Sequence, residues 1–214
     1  RESFASIKVP CVLCSESAAE MKFSNLSSFT TDDREAARAA AEYLIRSGHR
    51  RVGIVCGSAV SEAGLIGSKR VESAIDAFKE NKIPFDKRKQ FVPGKFSLED
   101  GYNSTMKLLD RYPEVTAIYA VSDVVAIGAL RAINDRKLKV PQDISIIGND
   151  GIDFARYATP RLATVEQDAA QLAKRSVDDL LLRLNYNKPV IHEIIPFHVL
   201  AGESIRIKKP VEEK

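Results

Sequence analysis

The sequence predicts an α/β fold built on mostly parallel sheets, and three observations support this prediction. Segments of strand character alternate with segments of helical periodicity along nearly all of the 214 residues, which is typical of repeated βαβ units. The strand-like segments are continuous apolar runs, as expected for strands that helices cover on both faces. Polar or glycine-containing segments follow several of these runs, at the sheet edge where such folds bind ligands.

Four strands and two helices are predicted in the first half of the chain. The strands are residues 9–14, 28–30, 51–56 and 89–92, which are rich in β-branched or apolar side chains. Thr31 is expected to cap the first helix, with Asp32 and Asp33 in the first turn, where the helix dipole favours negative charge, and Gly48 is expected to end it. Apolar side chains recur at helical spacing over residues 69–80 and predict the second helix.

The second half repeats the pattern with three strands and three helices. The strands are residues 115–121, 144–148 and 191–200. Ser97 and Asp100 have the spacing of a capping box, which predicts a helix start there, and that helix ends before Pro113. A further helix is predicted over residues 123–136. The last helix spans residues 167–184, and its apolar stripe comprises Ala169, Leu172, Ala173, Val177, Leu180, Leu181 and Leu184.

The composition excludes several classes of protein. The net charge is +3, from 32 basic and 29 acidic residues, which gives no electrostatic case for nucleic-acid binding by this segment alone. The longest apolar stretches are far shorter than the roughly 20 residues of a membrane span. Three cysteines form no disulfide framework and favour the cytoplasm. Cys11 and Cys14 have CxxC spacing, but on a strand they point to opposite faces, so we expect buried thiols and no metal or redox site.

The residues expected at the carboxyl ends of the strands form a mixed polar set with one aromatic ring. Its members are Phe96, Ser122, Asp123, Asn149 and Asp150, and Arg70 can approach them if its helix starts near the same edge. A carboxylate and a guanidinium offer directed hydrogen bonds to hydroxyl groups, and an aromatic ring covers an apolar face, so the set suits a polar ligand. No nucleophile accompanies a base, and the sequence holds neither a phosphate-binding loop nor a histidine-rich metal pattern, so no cofactor is expected.

Four of these residues also have a purely structural interpretation, which the sequence leaves open. Asp123 stands at a helix start and suits a cap or first-turn carboxylate. Asp150 precedes Gly151 and suits a turn. Arg70 suits a surface ion pair, and Phe96 suits a hydrophobic plug beneath a loop.

Four collinear segments of the chain resemble the lactose-repressor/galactose-repressor (LacI/GalR) family of bacterial transcription regulators. They are YLIRSGHRRVGIVCG at residues 43–57, VTAIYAVSDVVAIGA at 115–129, VPQDISIIGND at 140–150 and TPRLATVEQD at 159–168. The resemblance implies a periplasmic-binding-protein-like core of two Rossmann-like lobes with parallel sheets. On this mapping residues 1–57 and 166–189 belong to an incomplete first lobe, residues 58–165 and 190–208 form the second lobe, and residues 209–214 are a tail.

The same resemblance implies a function. Members of the family hold a small effector, commonly a sugar or a purine, between their lobes, and an N-terminal helix-turn-helix, which the mapping predicts to be absent from this chain, reads operator DNA. By motif position, the expected effector contacts are Arg70, Phe96, Ser122, Asp123, Asp150 and Gln167. A homodimer is expected, in part through the helix that carries Ile127 and Leu130 and through the loop before Pro160. Gly151 departs from the family pattern, which usually has a second acid after the position of Asp150.

Two other classes of function remain as alternatives. A periplasmic-type sugar-binding protein of a transporter shares the fold, and the sequence upstream of residue 1 would distinguish it by a signal peptide in place of a helix-turn-helix. An α/β enzyme would use Asp123 and Asp150 as an acid/base pair, but carboxylates at strand ends are common in binding clefts and no nucleophile or metal site accompanies these two.

Overall fold

A computed structural model describes residues 7–19, 23–57 and 65–207, without the side chains of Leu65 and Ile66. The strands of these residues are β1 (Cys11–Cys14), β2 (Leu26–Thr30), β3 (Val52–Val55), β4 (Phe91–Val92), β5 (Ala117–Ala120), β6 (Ser145–Asp150), β7 (Ala163–Gln167), β8 (His192–Ile194) and β9 (Phe197–Leu200). The helices are α1 (Asp33–Arg46), α2 (Leu65–Glu80), α3 (Lys87–Gln90), α4 (Leu98–Arg111), α5 (Asp123–Asp135), α6 (Asp153–Tyr157) and α7 (Ala169–Tyr186). The predicted tail, residues 209–214, lies outside the described residues.

The chain divides into two compact units, each with its own sheet. Of the described residues, 7–19, 23–32 and 167–197 form the first unit, and 33–57, 65–166 and 198–207 form the second. The predicted α/β class is confirmed, since strands and helices alternate and the strand pairs β1/β2, β2/β8, β3/β4, β3/β5, β5/β6 and β6/β7 are all parallel.

The first unit is a three-stranded sheet in the order β1-β2-β8, covered by α7. Phe29, Leu172 and Ile195 form its buried apolar cluster. Arg183 of α7 is also buried against this sheet, where its Nη1 donates to the carbonyl of Cys11 at 2.9 Å and to Ser27 Oγ at 3.0 Å.

The burial of α7 corrects the apolar stripe predicted for it. Its buried residues are Leu172, Ser176, Asp179 and Arg183, so a largely polar row faces the sheet. Val177, Leu181 and Leu184 of the predicted stripe are exposed. Periodicity alone missed this arrangement, because the hydrogen bonds of the buried Arg183 join it to β1 and β2, which are distant in the sequence.

The second unit is a six-stranded sheet in the order β4-β3-β5-β6-β7-β9. Val52 to Val55 of β3 pair in register with Ala117 to Ala120 of β5, and α1 packs against α2. These contacts place residues 33–57 in the second unit, so the expected boundary at residue 57 is wrong and the observed one follows residue 32. The chain passes back into the first unit after residue 166, where we expected it after residue 165. It returns to the second unit after residue 197, where we expected it after residue 189.

Several predicted elements also differ in detail. Residues 89–90 belong to the short helix α3, and the strand there begins at Phe91. The predicted strand over residues 191–200 is split into β8 and β9, which belong to different sheets. Thr31 does not cap α1, since its Oγ1 has no hydrogen-bond partner among the described residues. The predicted helix start at Ser97 is confirmed, because Ser97 Oγ accepts from the Asp100 N–H at 3.0 Å and donates to Asp100 Oδ2 at 2.9 Å.

The three cysteines are all free, and their burial differs from the expectation. Cys14 is exposed, Cys11 is half-buried and Cys56 is buried. Cys14 is exposed at the end of β1, while burial raises the pKa of the Cys56 thiol to about 11. Within the described part of the chain, no helix combines the length and apolar character that crossing a membrane requires.

Candidate functional site

Three charged side chains of the second unit, those of Arg70, Asp33 and Asp150, meet where β5 and β6 end. Arg70 of α2 lies at the centre, with its Nε donating to Asp33 Oδ1 at 2.8 Å and its Nη1 donating to the carbonyl of Val121 at 2.7 Å. The same Nη1 lies 2.9 Å from Asp150 Oδ1. The predicted convergence of Arg70 and Asp150 at one sheet edge is therefore confirmed.

Asn149 and Tyr119 complete this cluster beneath Asp150. The carboxamide of Asn149 is best oriented with its oxygen toward Arg70, because that oxygen then accepts from Nη1 at 3.2 Å, from Nη2 at 3.3 Å and from the Asp150 N–H at 3.2 Å. The hydroxyl of Tyr119 lies 3.5 Å from the same carboxamide. Both side chains are fully buried, so they order the charged groups above them.

Burial and charge act against each other in this cluster. Burial disfavours the charged guanidinium, but the carboxylates of Asp150 and Asp33 outweigh it and raise the pKa of Arg70 above its ordinary value. Burial raises the pKa of Asp33, against the opposing effect of Arg70. Arg70 therefore remains charged. Because its side chain is only 4 % exposed, its N–H groups donate mainly to acceptors of the protein itself.

Asp150 is the carboxylate of this cluster that a ligand reaches most easily. Its side chain is 28 % exposed, compared with 13 % for Asp33. Its backbone has a φ of +117° and is followed by Gly151 at +75°, a conformation that a non-glycine residue adopts rarely and at a cost. Such strain is common where a fold holds a side chain in place for binding.

Asp123 lies next to this site but is completely buried. Its Oδ1 accepts from Thr164 Oγ1 at 2.6 Å, and its Oδ2 accepts from the N–H groups of Gly151 at 2.7 Å and Ile152 at 2.9 Å. Burial raises the pKa of Asp123 to about 6, although these three donors oppose the rise. With both oxygens occupied by protein donors and no exposed surface, Asp123 does not offer the direct effector contact that we expected.

The other three predicted contacts lie in different settings. Ser122 is buried and caps α5, accepting from the Val125 N–H at 3.3 Å. Phe96 is 42 % exposed in the turn before α4. Gln167 ends β7 in the first unit, where its Oε1 accepts from Ser15 Oγ at 3.4 Å. Of these six residues, the contacts within the second unit join Arg70 to Asp150 and place Asp123 beneath the turn that follows Asp150.

The sequence did not identify Asp33, Tyr119 and Thr164 as members of the site, and it placed Asn149 at the strand end without assigning it an effector contact. Asp33 was interpreted only as a first-turn carboxylate, and Tyr119 only as part of a strand. The position of Asn149 directly before Asp150 was the one available signal. Among residues 7–19, 23–57 and 65–207, no three His, Cys, Asp or Glu side chains are grouped so that they would hold a metal ion.

Comparison with known families and proteins agrees with this architecture. The family described as "Periplasmic binding protein-like domain" matches residues 41–205. The ribose operon repressor of Haemophilus influenzae is 36% identical over 145 residues, which are 68% of this chain and 42% of the repressor. The HTH-type transcriptional regulator MalR of Clostridium butyricum is 33% identical over 206 residues, which are 95% of this chain and 60% of MalR.

A solved structure resembles the chain in the same way. A LacI family transcriptional regulator from Enterococcus faecium, with bound ribose, matches with a TM-score of 0.76 and 28% identity, over 86% of this chain and 67% of that one. These relatives are transcriptional regulators, and the chain spans about half the length of the curated ones. The chain belongs to the periplasmic-binding-protein-like domain family, in the form found in LacI-type transcriptional regulators.

Proposed function

We propose that this chain binds a small polyhydroxyl effector, a sugar, and that occupancy controls operator binding by the intact regulator. The observation that carries the proposal is Asp150, a partly exposed carboxylate held by Arg70 at the carboxyl end of β6. A carboxylate in this setting accepts hydrogen bonds from adjacent hydroxyl groups. The ribose bound to the Enterococcus faecium relative supports a sugar as the ligand class.

The remaining expected contacts have different parts in this proposal. The exposed ring of Phe96 suits stacking on the apolar face of a sugar. Ser122 and Gln167 are candidates for polar contacts, and Arg70 acts mainly by fixing the Asp150 carboxylate. Asp123 is proposed to act indirectly.

The mechanism proposed for the intact protein is a shift between conformations. An effector that binds one conformation more tightly than another increases its population, and operator affinity changes with it. Effector and operator affinities must then be coupled by the same factor in both directions. This role implies a cytoplasmic location. The relatives that are transcriptional regulators favour this regulatory role over that of a sugar-binding protein of a transporter.

Isothermal titration of the intact protein with D-ribose, D-glucose, cellobiose and hypoxanthine tests the ligand class. We expect a sugar to bind, and Asp150→Asn to weaken it by about ten-fold to a hundred-fold, because a hydrogen bond to a charged group contributes roughly 1.5–3 kcal/mol. Asp153→Asn, an exposed carboxylate three residues further on, is the matched control and should bind normally. Binding of hypoxanthine alone, or equal affinities for the two variants, would contradict the proposal.

The coupling to DNA is tested by fluorescence anisotropy with labelled operator from the gene's own upstream region. The sugar that binds in the titration should change operator affinity of the intact protein, and Asp150→Asn should need a correspondingly higher sugar concentration. Unchanged operator affinity at saturating sugar would argue for a binding protein without a regulatory role.

We also propose that the intact protein is a homodimer through the surface around α5 and α6. Phe154 and Tyr157 of α6 are 74 % and 85 % exposed, which is unusual for large aromatic side chains. A groove of about 410 Å³ beside α5 is lined by Leu130 and Pro160, the two regions that the family resemblance assigned to the interface. Exposed aromatic side chains such as those of Phe154 and Tyr157 are enriched in protein interfaces.

Tyr157→Asp should convert the dimer to monomer, because it places a charge where an aromatic side chain would be buried. Sedimentation equilibrium of the intact protein measures the change, with the exposed Leu98→Asp as a control at another surface. A dimer that survives Tyr157→Asp with unchanged dissociation constant would place the interface elsewhere.

A further inference from the structure

We propose that Asp123 is a positioning residue, which holds Asp150 in its ligand-binding arrangement by binding the turn that follows β6. This inference rests on the proposed function, since it assigns a role within the same site. It concerns a residue that touches neither solvent nor ligand and acts through the backbone.

The geometry around Asp123 joins three consecutive parts of the sheet. Asp123 begins α5 directly after β5, and its carboxylate accepts from the backbone of Gly151 and Ile152 just beyond β6. The same carboxylate accepts from Thr164 on β7. A Cβ on Gly148 of β6 would lie 2.1 Å from Asp123 Oδ1. The carboxylate therefore packs directly against the backbone of β6 at a position where only glycine leaves room for it.

Asp150 needs such support because its backbone is strained. A residue other than glycine at φ +117° is held by its surroundings at a cost of about 1–3 kcal/mol. Arg70 forms an ion pair with the Asp150 side chain. Asp123 accepts hydrogen bonds from the N–H groups of Gly151 and Ile152, the two residues that follow Asp150. Releasing the turn would let Asp150 relax, which would move its carboxylate relative to Arg70 and to the ligand.

The ionisation of Asp123 provides a signature of this role. Protonation removes the negative charge of the carboxylate and so weakens the hydrogen bonds that it accepts from the N–H groups of Gly151 and Ile152, because a hydrogen bond to an ionised acceptor is stronger than one to a neutral acceptor. Since burial raises the pKa of Asp123 to about 6, the turn is held most firmly above that pH. The charged and titratable groups on the elements packed around Asp123 are Asp33, Arg70, Tyr119, Asp150, Arg156 and Glu166.

Because other carboxylates near the site also titrate, the test must address Asp123 itself. Thr164→Val removes the 2.6 Å hydrogen bond that favours the ionised carboxylate and nearly preserves the shape of the side chain. It should therefore raise the pH at which sugar affinity is half lost, by about one pH unit. Thr105→Val is the matched control, since Thr105 is equally buried and its Oγ1 has no hydrogen-bond partner among the described residues.

The experiment is a series of calorimetric titrations of the intact protein between pH 5 and pH 8.5 with D-ribose, D-glucose and cellobiose as probes. Wild type and Thr105→Val should lose affinity together as the pH falls through about 6, and Thr164→Val should lose it at higher pH. Asp123→Asn should bind the sugar about ten-fold to a hundred-fold more weakly than wild type at pH 8. Its sugar affinity should show no loss with a midpoint near pH 6, because the titrating carboxylate is gone.

The outcomes separate the two proposals. An unshifted midpoint in Thr164→Val, or an equal shift in Thr105→Val, would overturn the role of Asp123 and leave the sugar site intact. If none of the three sugars bound at pH 8, the proposed function would fail and this inference with it. If Asp123→Asn does not fold, the comparison of Thr164→Val with Thr105→Val still decides.

Discussion

Replacing Arg70 with methionine should lower the free energy of unfolding by about 3–5 kcal/mol, the usual loss when one partner of a buried ion pair is removed. The guanidinium faces Asp33 and Asp150 and is 4 % exposed. Methionine fills a similar volume but leaves two carboxylates without their counter-charge. Urea denaturation of the intact protein at pH 7, with circular dichroism as the signal, measures the loss.

The pH dependence of this loss has a definite sign. Arg70 lowers the pKa of Asp33, while burial raises it, so without Arg70 the pKa of Asp33 rises further. Protonation then removes the uncompensated charge, and the difference between variant and wild type should be smaller at pH 5 than at pH 7. Combining Arg70→Met with Asp33→Asn should recover part of the stability, since it removes one of the stranded charges.

A surface pair provides the control for Arg70. Arg131 lies 3.0 Å from Asp135 on α5 and is 71 % exposed, and exposed pairs of this type contribute at most about 1 kcal/mol. Arg131→Met should therefore change stability little. Equal losses for Arg70→Met and Arg131→Met would mean that the cluster at the end of β6 does not stabilise the second unit.

Adding a single methyl group in Gly148→Ala should cost about 3 kcal/mol or more. The new Cβ would lie 2.1 Å from Asp123 Oδ1 and 3.1 Å from Leu162 Cδ2. Overpacking a core usually costs 1–3 kcal/mol, and here the carboxylate would also have to leave the donors of Gly151, Ile152 and Thr164, which contribute roughly 1.5–3 kcal/mol apiece. Sugar affinity should fall as well, because the turn that orders Asp150 would be released.

A double-mutant cycle isolates the contact between Gly148 and Asp123. Asp123→Ala removes the carboxylate that the new methyl group would strike, so the double variant should be more stable than the sum of the single losses predicts. The unfolding transitions of the four proteins in urea give the coupling. Strict additivity would show that the close approach of β6 to Asp123 does not limit the packing.

Local patterns predicted most of the elements of this fold. Ser97 with Asp100 marked the start of α4, and Asp123 marked the start of α5. These signals work because a helix cap or a buried parallel strand depends on residues that are close in sequence. The expected approach of Arg70 to Asp150 also held, because α2 brings Arg70 to the edge where β5 and β6 end.

The prediction for Thr31 failed locally, because α1 begins at Asp33. The other two errors involve contacts between distant segments. The buried face of α7 carries Arg183, which bonds to β1 and β2, more than 150 residues away in the chain. The unit boundary moved from residue 57 to residue 32 because β3 pairs with β5.

The sequence by itself determined the fold class, the family and the pair of residues that anchor the candidate site, since these depend on periodicity and on motif strings within the chain. Only the tertiary structure decided which carboxylate is available to a ligand. Asp123 and Asp150 both follow a strand, yet the first is buried under three donors and the second is partly exposed beside Arg70. Burial depends on what the rest of the fold places over a side chain, and no local pattern records that.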